Sequence, residues 1–205
     1  MKEMWNERYG AKEFAYGIAP NVFFKYALDK YELEGRILLP AEGEGRNALY
    51  AAQSSLEVYA FDISEEGQKK ALQLAKEHHL TIDYQVGHFL KMNYAHGSFD
   101  AAALIYAHFP PHILSVYHQK IIDLLKPGAL LVLEGFSTNN LPLRMENPKV
   151  GGPDKIEMLF STESIKAEFP NFETIELEEA QVELNEGLYH QGTAKVIRFV
   201  GKKNA

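Results

Sequence analysis

Between Arg36 and Asp62 the chain contains one short unit that constrains everything around it. Arg36-Ile-Leu-Leu39 is an apolar run, Pro40-Ala-Glu-Gly-Glu-Gly-Arg-Asn47 is a glycine-rich turn, and residues 47–53 read as a helix. A second apolar run, residues 57–62, ends in Asp62. A strand, a glycine turn, a helix and a strand closing on a carboxylate form a unit suited to gripping a nucleoside. The glycines let backbone approach a ligand closely, and the acid accepts hydrogen bonds from both ribose hydroxyls.

The flanking sequence continues the alternation. Residues 1–20 mix Trp5, Tyr9, Phe14 and Tyr16 with Gly10 and Gly17, which predicts a packed but irregular arm. Asn21 is placed to cap a helix reaching about Leu33. Beyond the unit, Ser64 caps a long helix with Ala71, Leu72, Leu74 and Ala75 facing a sheet. Residues 81–86 and 99–106 read as the third and fourth strands, and the latter is apolar enough to be buried on both faces. Pro110 and Pro111 open a helix to Leu125, because the first turn of a helix tolerates proline. Lys126-Pro-Gly128 is a turn and residues 129–136 are the fifth strand.

Strands alternating with helices imply parallel pairing through right-handed crossovers. The pattern then changes. Residues 137–153 are long and irregular, a composition that suits a lid or else a disordered segment. Residues 161–169 look helical, and 172–184 with 193–200 form an antiparallel hairpin around Asn185-Glu-Gly187. The expectation is a single α/β domain over 1–205. It divides into an arm and helix (1–35), a ligand-binding core (36–136), a lid-like segment (137–160), and a helix with the terminal hairpin (161–205). A dinucleotide-dependent dehydrogenase would instead repeat the alternating half.

Composition excludes several classes. The 205 residues carry a net charge of −7, which argues against a broad phosphate-neutralising surface. With no cysteine, a disulfide framework and thiolate chemistry are out of reach. No apolar run approaches the ~20 residues needed to cross a bilayer, and the charged start, Met1-Lys-Glu-Met-Trp5, lacks the apolar core of a signal peptide. These features predict a cytoplasmic protein.

Four segments together resemble the class I S-adenosylmethionine-dependent methyltransferases, and more narrowly the small bacterial group related to tellurite-resistance and thiopurine methyltransferases. They are Tyr16-Gly-Ile-Ala-Pro-Asn21, Pro40–Asn47, Asp62-Ile-Ser-Glu-Glu-Gly67 with Lys70-Ala-Leu-Gln-Leu-Ala75, and Glu186-Gly-Leu-Tyr-His-Gln-Gly-Thr-Ala-Lys-Val196. The resemblance implies a Rossmann-like three-layer sandwich whose seven strands run 3-2-1-4-5-7-6, the seventh antiparallel. It implies S-adenosylmethionine as cofactor, with Gly43 and Gly45 facing its methionine part and Asp62 its ribose. His88 and Phe89 would border the adenine, and Ala107 and His108 would lie beneath the methyl donor. Tyr16, Glu42, Glu44, Asn47, Ile63 and Ser64 complete the implied cofactor set. Three positions depart from the pattern. Leu39, Ala41 and His88 stand where the family commonly has Asp, Gly and Asp, and Glu42 could offer a carboxylate to the cofactor's ammonium instead.

His108 and His190 are the candidate catalytic residues, as polar groups able to orient an acceptor or take its proton near neutral pH. His108 could equally be a hydrogen-bonded supporting histidine, and His190 could merely stabilise its turn. Pro110 and Pro111 separate His108 from His112, so a shared helical face for a metal is not expected. His118 is expected on the outer face of its helix. Tyr16, Arg144, Gly151 and Gly152 are candidates for a lid.

Amino-methylating enzymes of nucleic acids place Asn or Asp before Pro-Pro; Phe109 cannot accept a hydrogen bond, so a small acceptor such as a thiol or a selenium or tellurium oxyanion is expected. A nicotinamide-dependent oxidoreductase and a cofactor-binding sensor without turnover are the alternatives.

Overall fold

The computed structural model describes residues 1–205. Its strands are β1 (Arg36–Pro40), β2 (Glu57–Asp62), β3 (Asp83–Val86), β4 (Phe99–Ile105), β5 (Leu125–Phe136), β6 (Phe172–Glu186) and β7 (His190–Lys203). They lie in the order β3-β2-β1-β4-β5-β7-β6. Pairing is parallel from β3 to β5, and β7 runs antiparallel to both neighbours. The expected Rossmann-like sandwich and strand order are the observed ones.

The helices are α1 (Lys2–Tyr9), α2 (Val22–Lys30), α3 (Arg46–Gln53), α4 (Glu65–Glu77), α5 (Pro111–Leu124), α6 (Leu141–Glu146) and α7 (Thr162–Glu168). Period-two alternation sends successive strand residues to opposite faces. Ile37, Leu39, Val58, Ala60, Ala101 and Ala103 meet α2, α3 and α4, whereas Leu38, Phe61, Ala102 and Leu104 meet α5 and the α7 side. Both faces are covered, which is why the inner strands carry almost no polar residue.

Three elements differ from the sequence expectation. The arm begins with a regular helix: Trp5 and Tyr9, one turn apart, stack at 5.3 Å, and α1 lies along α4. Ser64 Oγ donates to Asn6 Oδ1 (2.7 Å) and Lys2 pairs with Glu65 (2.8 Å), so tertiary contacts supply what the sequence of α1 lacks in amphipathicity. The fifth strand starts earlier, at Leu125, and Lys126–Gly128 bulges out of it, shifting its register against β4. Third, residues 137–160 are ordered. A bridge between Ser137 and Phe160 closes the segment, α6 and short 3-10 turns fill it, and Val150, Leu159 and Phe160 are buried.

His118 also departs from expectation. It is 1% exposed, 5.0 Å from the Phe169 ring, with Nδ1 at 3.0 Å from Glu168. The α7 helix covers the face of α5 that reads as outward in sequence.

Candidate active site

The carboxyl ends of β1, β2, β4 and β5 share one edge of the sheet, where a doubly wound fold places its ligand. The site has two halves, one around the glycine turn and one around the hairpin between β6 and β7.

In the first half, β1 ends at Pro40 and the chain turns through Ala41, whose φ of 55° is left-handed. That geometry favours glycine, and alanine tolerates it at a cost of about 1–2 kcal/mol. Gly43 N–H donates to Asp62 Oδ2 (3.0 Å) and Ser64 N–H to Asp62 Oδ1 (2.8 Å). Asp62 is therefore held rigidly, and each oxygen keeps a lone pair for a further donor. Burial pushes its pKa up, against the pull of those two N–H groups. Tyr84 Oη donates to Gly43 carbonyl oxygen (2.5 Å) from β3, fixing the turn from below.

The glycines are needed for protein packing. A methyl on Gly43 would lie 2.7 Å from the Tyr9 hydroxyl, and one on Gly45 would lie 2.5 Å from the Ala71 methyl. Tyr9 thus reaches from α1 to the edge of the turn, beside Asp62. Burial and the Asp62 charge push its pKa well up, so it stays a neutral donor. In the sequence Tyr9 reads as packing of the arm, and its i,i+4 relation to Trp5 is the one local sign of the helix that carries it to the turn.

Several residues expected at the cofactor hold other elements. Glu44 is buried, accepting from Ala15 N–H (2.7 Å) and Lys70 Nζ (2.7 Å), so it ties the arm to α4. Asn47 Oδ1 accepts from Asn21 N–H (2.9 Å), which seats the start of α2. Ser64 accepts from Gly67 N–H and caps α4, while Ile63 is partly buried beside it. Phe89 turns away into the core, stacked on Phe61 at 4.4 Å, and Ala107 is buried in the same cluster. Their side chains face hydrophobic neighbours because the 3-10 turn Phe89–Lys91 folds back onto α5, where Lys120 Nζ donates to the Phe89 and Met92 carbonyls. His88 is exposed and Leu39 is buried beneath the turn.

Glu42 behaves differently. One oxygen caps α3, accepting from Asn47 N–H (2.8 Å) and Ala48 N–H (2.7 Å). The side chain remains partly accessible, and its surroundings push its pKa up to about 7 by desolvation, against the Ala48 N–H and the Arg46 charge. A carboxyl poised there responds to any cation brought near it.

In the second half, His108 is fully engaged. Its Nδ1 lies 2.7 Å from the Met158 carbonyl, and its Nε2 accepts from Phe136 N–H (3.0 Å). The ring stacks on Phe160 at 4.7 Å, and burial pushes its pKa down to about 4. It stays neutral and locks residues 137–160 onto β5. This geometry favours the supporting role over that of a base.

His190 offers the free nitrogen. Its Nδ1 lies 2.9 Å from Glu186 Oε2, the one hydrogen bond the ring makes within the protein. Aromatic rings surround it: Tyr16 at 4.4 Å, Tyr106 at 4.6 Å and Phe136 at 5.2 Å. Burial pushes its pKa down and the Glu186 carboxylate pulls it partly back. Tyr106, just past β4, has a left-handed φ of 53° and a buried hydroxyl without a partner. Glu186, Arg46 and Tyr106 carry no sequence signal for this cluster, because it forms only when the hairpin brings Glu186 next to a helix 140 positions away.

The lid candidates assemble around this half. Arg144 Nε donates to Gly152 carbonyl oxygen (2.9 Å), and Gly151 lies close enough to the His190 ring that a methyl there would be 2.6 Å from Cδ2. Leu188 N–H donates to Ala15 carbonyl oxygen (2.8 Å), so the arm bridges both halves. Phe109 packs on Tyr117 at 4.9 Å and points away from the site.

Residues 37–128 match a family model described as a methyltransferase domain. No curated protein matches the chain. Among solved structures, a protein studied for conversion of a disulfide bond into a thioacetal group during echinomycin biosynthesis is similar over 100% of this chain and 92% of its own, at 16% identity and a TM-score of 0.81. An S-adenosylmethionine-dependent methyltransferase of Methanosarcina mazei is similar over 86% and 96%, at 20% identity and a TM-score of 0.70. TehB of Haemophilus influenzae is similar over 99% of this chain and 67% of its own, at 14% identity and a TM-score of 0.71. At such identities the likeness to these structures is one of fold.

Proposed function

We propose that this chain, whose residues 37–128 match a methyltransferase domain and for which S-adenosylmethionine is the supported cofactor, methylates a small acceptor carrying a removable proton. The observation that carries the reading is the His190 imidazole, oriented by Glu186 at the same sheet edge as Asp62.

The residues fit the cofactor. Asp62 has a free lone pair on each oxygen for a ribose hydroxyl, Tyr9 offers a hydroxyl beside it, and Glu42 offers a half-buried carboxyl, one oxygen of which caps α3, for an ammonium. When bound, S-adenosylmethionine supplies an electrophilic methyl carbon on a cationic sulfur. The protein's tasks are then alignment, exclusion of water and removal of one proton. His190 Nε2 would take the proton of the acceptor's O–H, N–H or S–H, and the Glu186 carboxylate would stabilise the imidazolium so formed.

A selenium or tellurium oxyanion fits less well. Two of the nearby cations are already paired, Arg46 with Glu186 and Arg198 with Glu134, and Arg8 donates to the neutral Tyr16 hydroxyl and lies over the Tyr189 ring. A neutral acceptor flanked by aromatic rings matches the charge balance better.

Calorimetric titration with S-adenosylhomocysteine, S-adenosylmethionine and NAD tests the reading, and binding of NAD alone would overturn it. Asp62→Ala should weaken binding of S-adenosylhomocysteine by about 1–3 kcal/mol through lost hydrogen bonds to a charged group. Unchanged affinity in the folded variant would remove Asp62 from the site.

Glu42 sets a pH dependence. Because its folded pKa is raised to about 7, it is mostly protonated at pH 6 and mostly ionised at pH 8. Affinity for the ammonium-bearing cofactor product should therefore fall as pH drops from 8 to 6, and Glu42→Gln should flatten that slope. A slope that persists in the variant would assign it elsewhere. Labelled methyl uptake by thiols, small phenols, selenite and tellurite would identify the acceptor class.

A further inference from the structure

Arg46 occupies the first position of α3, directly after the glycine turn, yet its guanidinium leaves the turn and crosses to the hairpin. Its Nη2 donates to Glu186 Oε2 (3.0 Å) and its Nη1 to the Tyr16 carbonyl (3.2 Å). The same Glu186 oxygen faces His190 Nδ1. Both members of the ion pair are largely withdrawn from water, with side chains 9% and 12% exposed. A buried pair of this kind rarely adds stability over apolar packing, so its presence calls for another role.

We infer that Arg46 and Glu186 form a positioning relay that presets His190 in the tautomer with Nδ1 protonated and Nε2 open, and that ties this base to the helix beginning at the glycine turn. The inference rests on His190 being the proton acceptor of the preceding subsection. The geometry is specific. Glu186, as a carboxylate, can only accept, so the proton it shares with His190 must sit on Nδ1. Arg46 guarantees the carboxylate state: despite the upward push of burial, the His190 hydrogen bond and the Arg46 charge hold Glu186 down at about 2. Asn21 Nδ2, 3.4 Å from Glu186 Oε1, steadies the second oxygen. Without the relay an imidazole among Tyr16, Tyr106 and Phe136 would be free to turn or to carry its proton on Nε2, where it could not act as a base.

The charged and titratable groups facing His190 come from every element around it. Glu186 belongs to β6, Arg46 to α3, Arg8 to α1 and Tyr16 to the arm. Tyr106 and His108 follow β4, Tyr189 sits in the hairpin turn, and Glu134 of β5 lies behind Tyr106. Of these, Glu186 is the one carboxylate bonded to the ring, and Arg46 is the cation bonded to that carboxylate. Their removal should therefore have opposite effects on His190.

The test uses the whole chain with 15N-labelled histidine, the His190 signals being identified by their loss in His190→Gln. In the unmodified protein Nδ1 should carry the proton at neutral pH and Nε2 should show the shift of an unprotonated nitrogen. Glu186→Ala should move the population toward the Nε2-protonated form and lower the His190 titration midpoint by about one pH unit. Arg46→Gln, which frees the Glu186 carboxylate to move, should add a second, Nε2-protonated population and raise the midpoint, and a single unchanged Nδ1-protonated signal would remove Arg46 from the relay. If Glu186→Ala does not fold, Glu186→Gln keeps the side-chain volume and should still lower the midpoint. A folded Glu186 variant with the Nδ1-protonated tautomer and an unchanged midpoint would overturn the relay. Turnover surviving in His190→Ala would instead overturn the base assignment, whatever the tautomer measurement shows.

Discussion

His190→Ala should lower kcat by about 10²–10⁴-fold, the range over which a positioned base contributes, while affinity for S-adenosylhomocysteine stays within a few-fold. The separation is expected because His190 touches neither Asp62 nor the glycine turn. Its neighbours are Glu186, Tyr16, Tyr106 and Phe136. The measurement needs an acceptor from the labelled-methyl panel and binding calorimetry on the same preparation. The pH profile adds a second check. A base must be unprotonated, and burial holds the His190 pKa below its ordinary value. Turnover should therefore be flat from neutral pH upward and fall only below the usual histidine range. His108→Ala provides the contrast: because both its nitrogens bond backbone, its loss should loosen residues 137–160 and reduce stability. A variant lacking His190 that turns over normally would place proton removal elsewhere.

Gly45→Ala should destabilise the protein by about 2–5 kcal/mol, combining a left-handed backbone with overpacking of a tight contact. Gly45 has a φ of 88°, and the added methyl would sit 2.5 Å from the Ala71 methyl and 2.8 Å from Ala71 Cα. Neither atom can swing away, since Ala71 is part of the buried face of α4. The only relief is to push α4 off the turn, which drags Lys70, Glu44 and the arm with it. Urea unfolding measures the loss against a total that for domains of this kind is typically about 5–15 kcal/mol. Gly97→Ala is the control. It shares the left-handed backbone but meets nothing within 4 Å, so it should cost only about 1–2 kcal/mol. Ala71→Gly in the Gly45→Ala background should restore part of the difference. Equal costs at Gly45 and Gly97 would mean that strain, and not the helix contact, dominates.

Both variants bear on what the two halves of the site share. The arm is the physical link: Glu44 holds Ala15, and the Ala15 carbonyl in turn receives Leu188 of the hairpin. Disturbing the glycine turn therefore reaches the hairpin without any change at His190.

What the sequence by itself determined is what local periodicity and turn chemistry encode. The alternation of apolar runs with capped helices marked five βα units and the terminal hairpin. With the family resemblance this led to the observed strand order, and the acid ending the second strand was marked as a ligand group. Ser64 and Ser161 cap their helices as short-range residues can. What only the tertiary structure decided depends on contacts between distant segments. Trp5 and Tyr9 become a helix because α4 lies beneath them. His118 is buried because α7 covers it. His108 is held by Met158 and Phe136, while His190 is held by Glu186 and left open at Nε2. Both histidines look alike in one dimension, and their chemistry diverges through burial and hydrogen-bond partners supplied by other strands. The reason is physical: hydrophobic pattern and helix caps act within a few residues, whereas desolvation and ion pairing are fixed only when the chain has closed on itself.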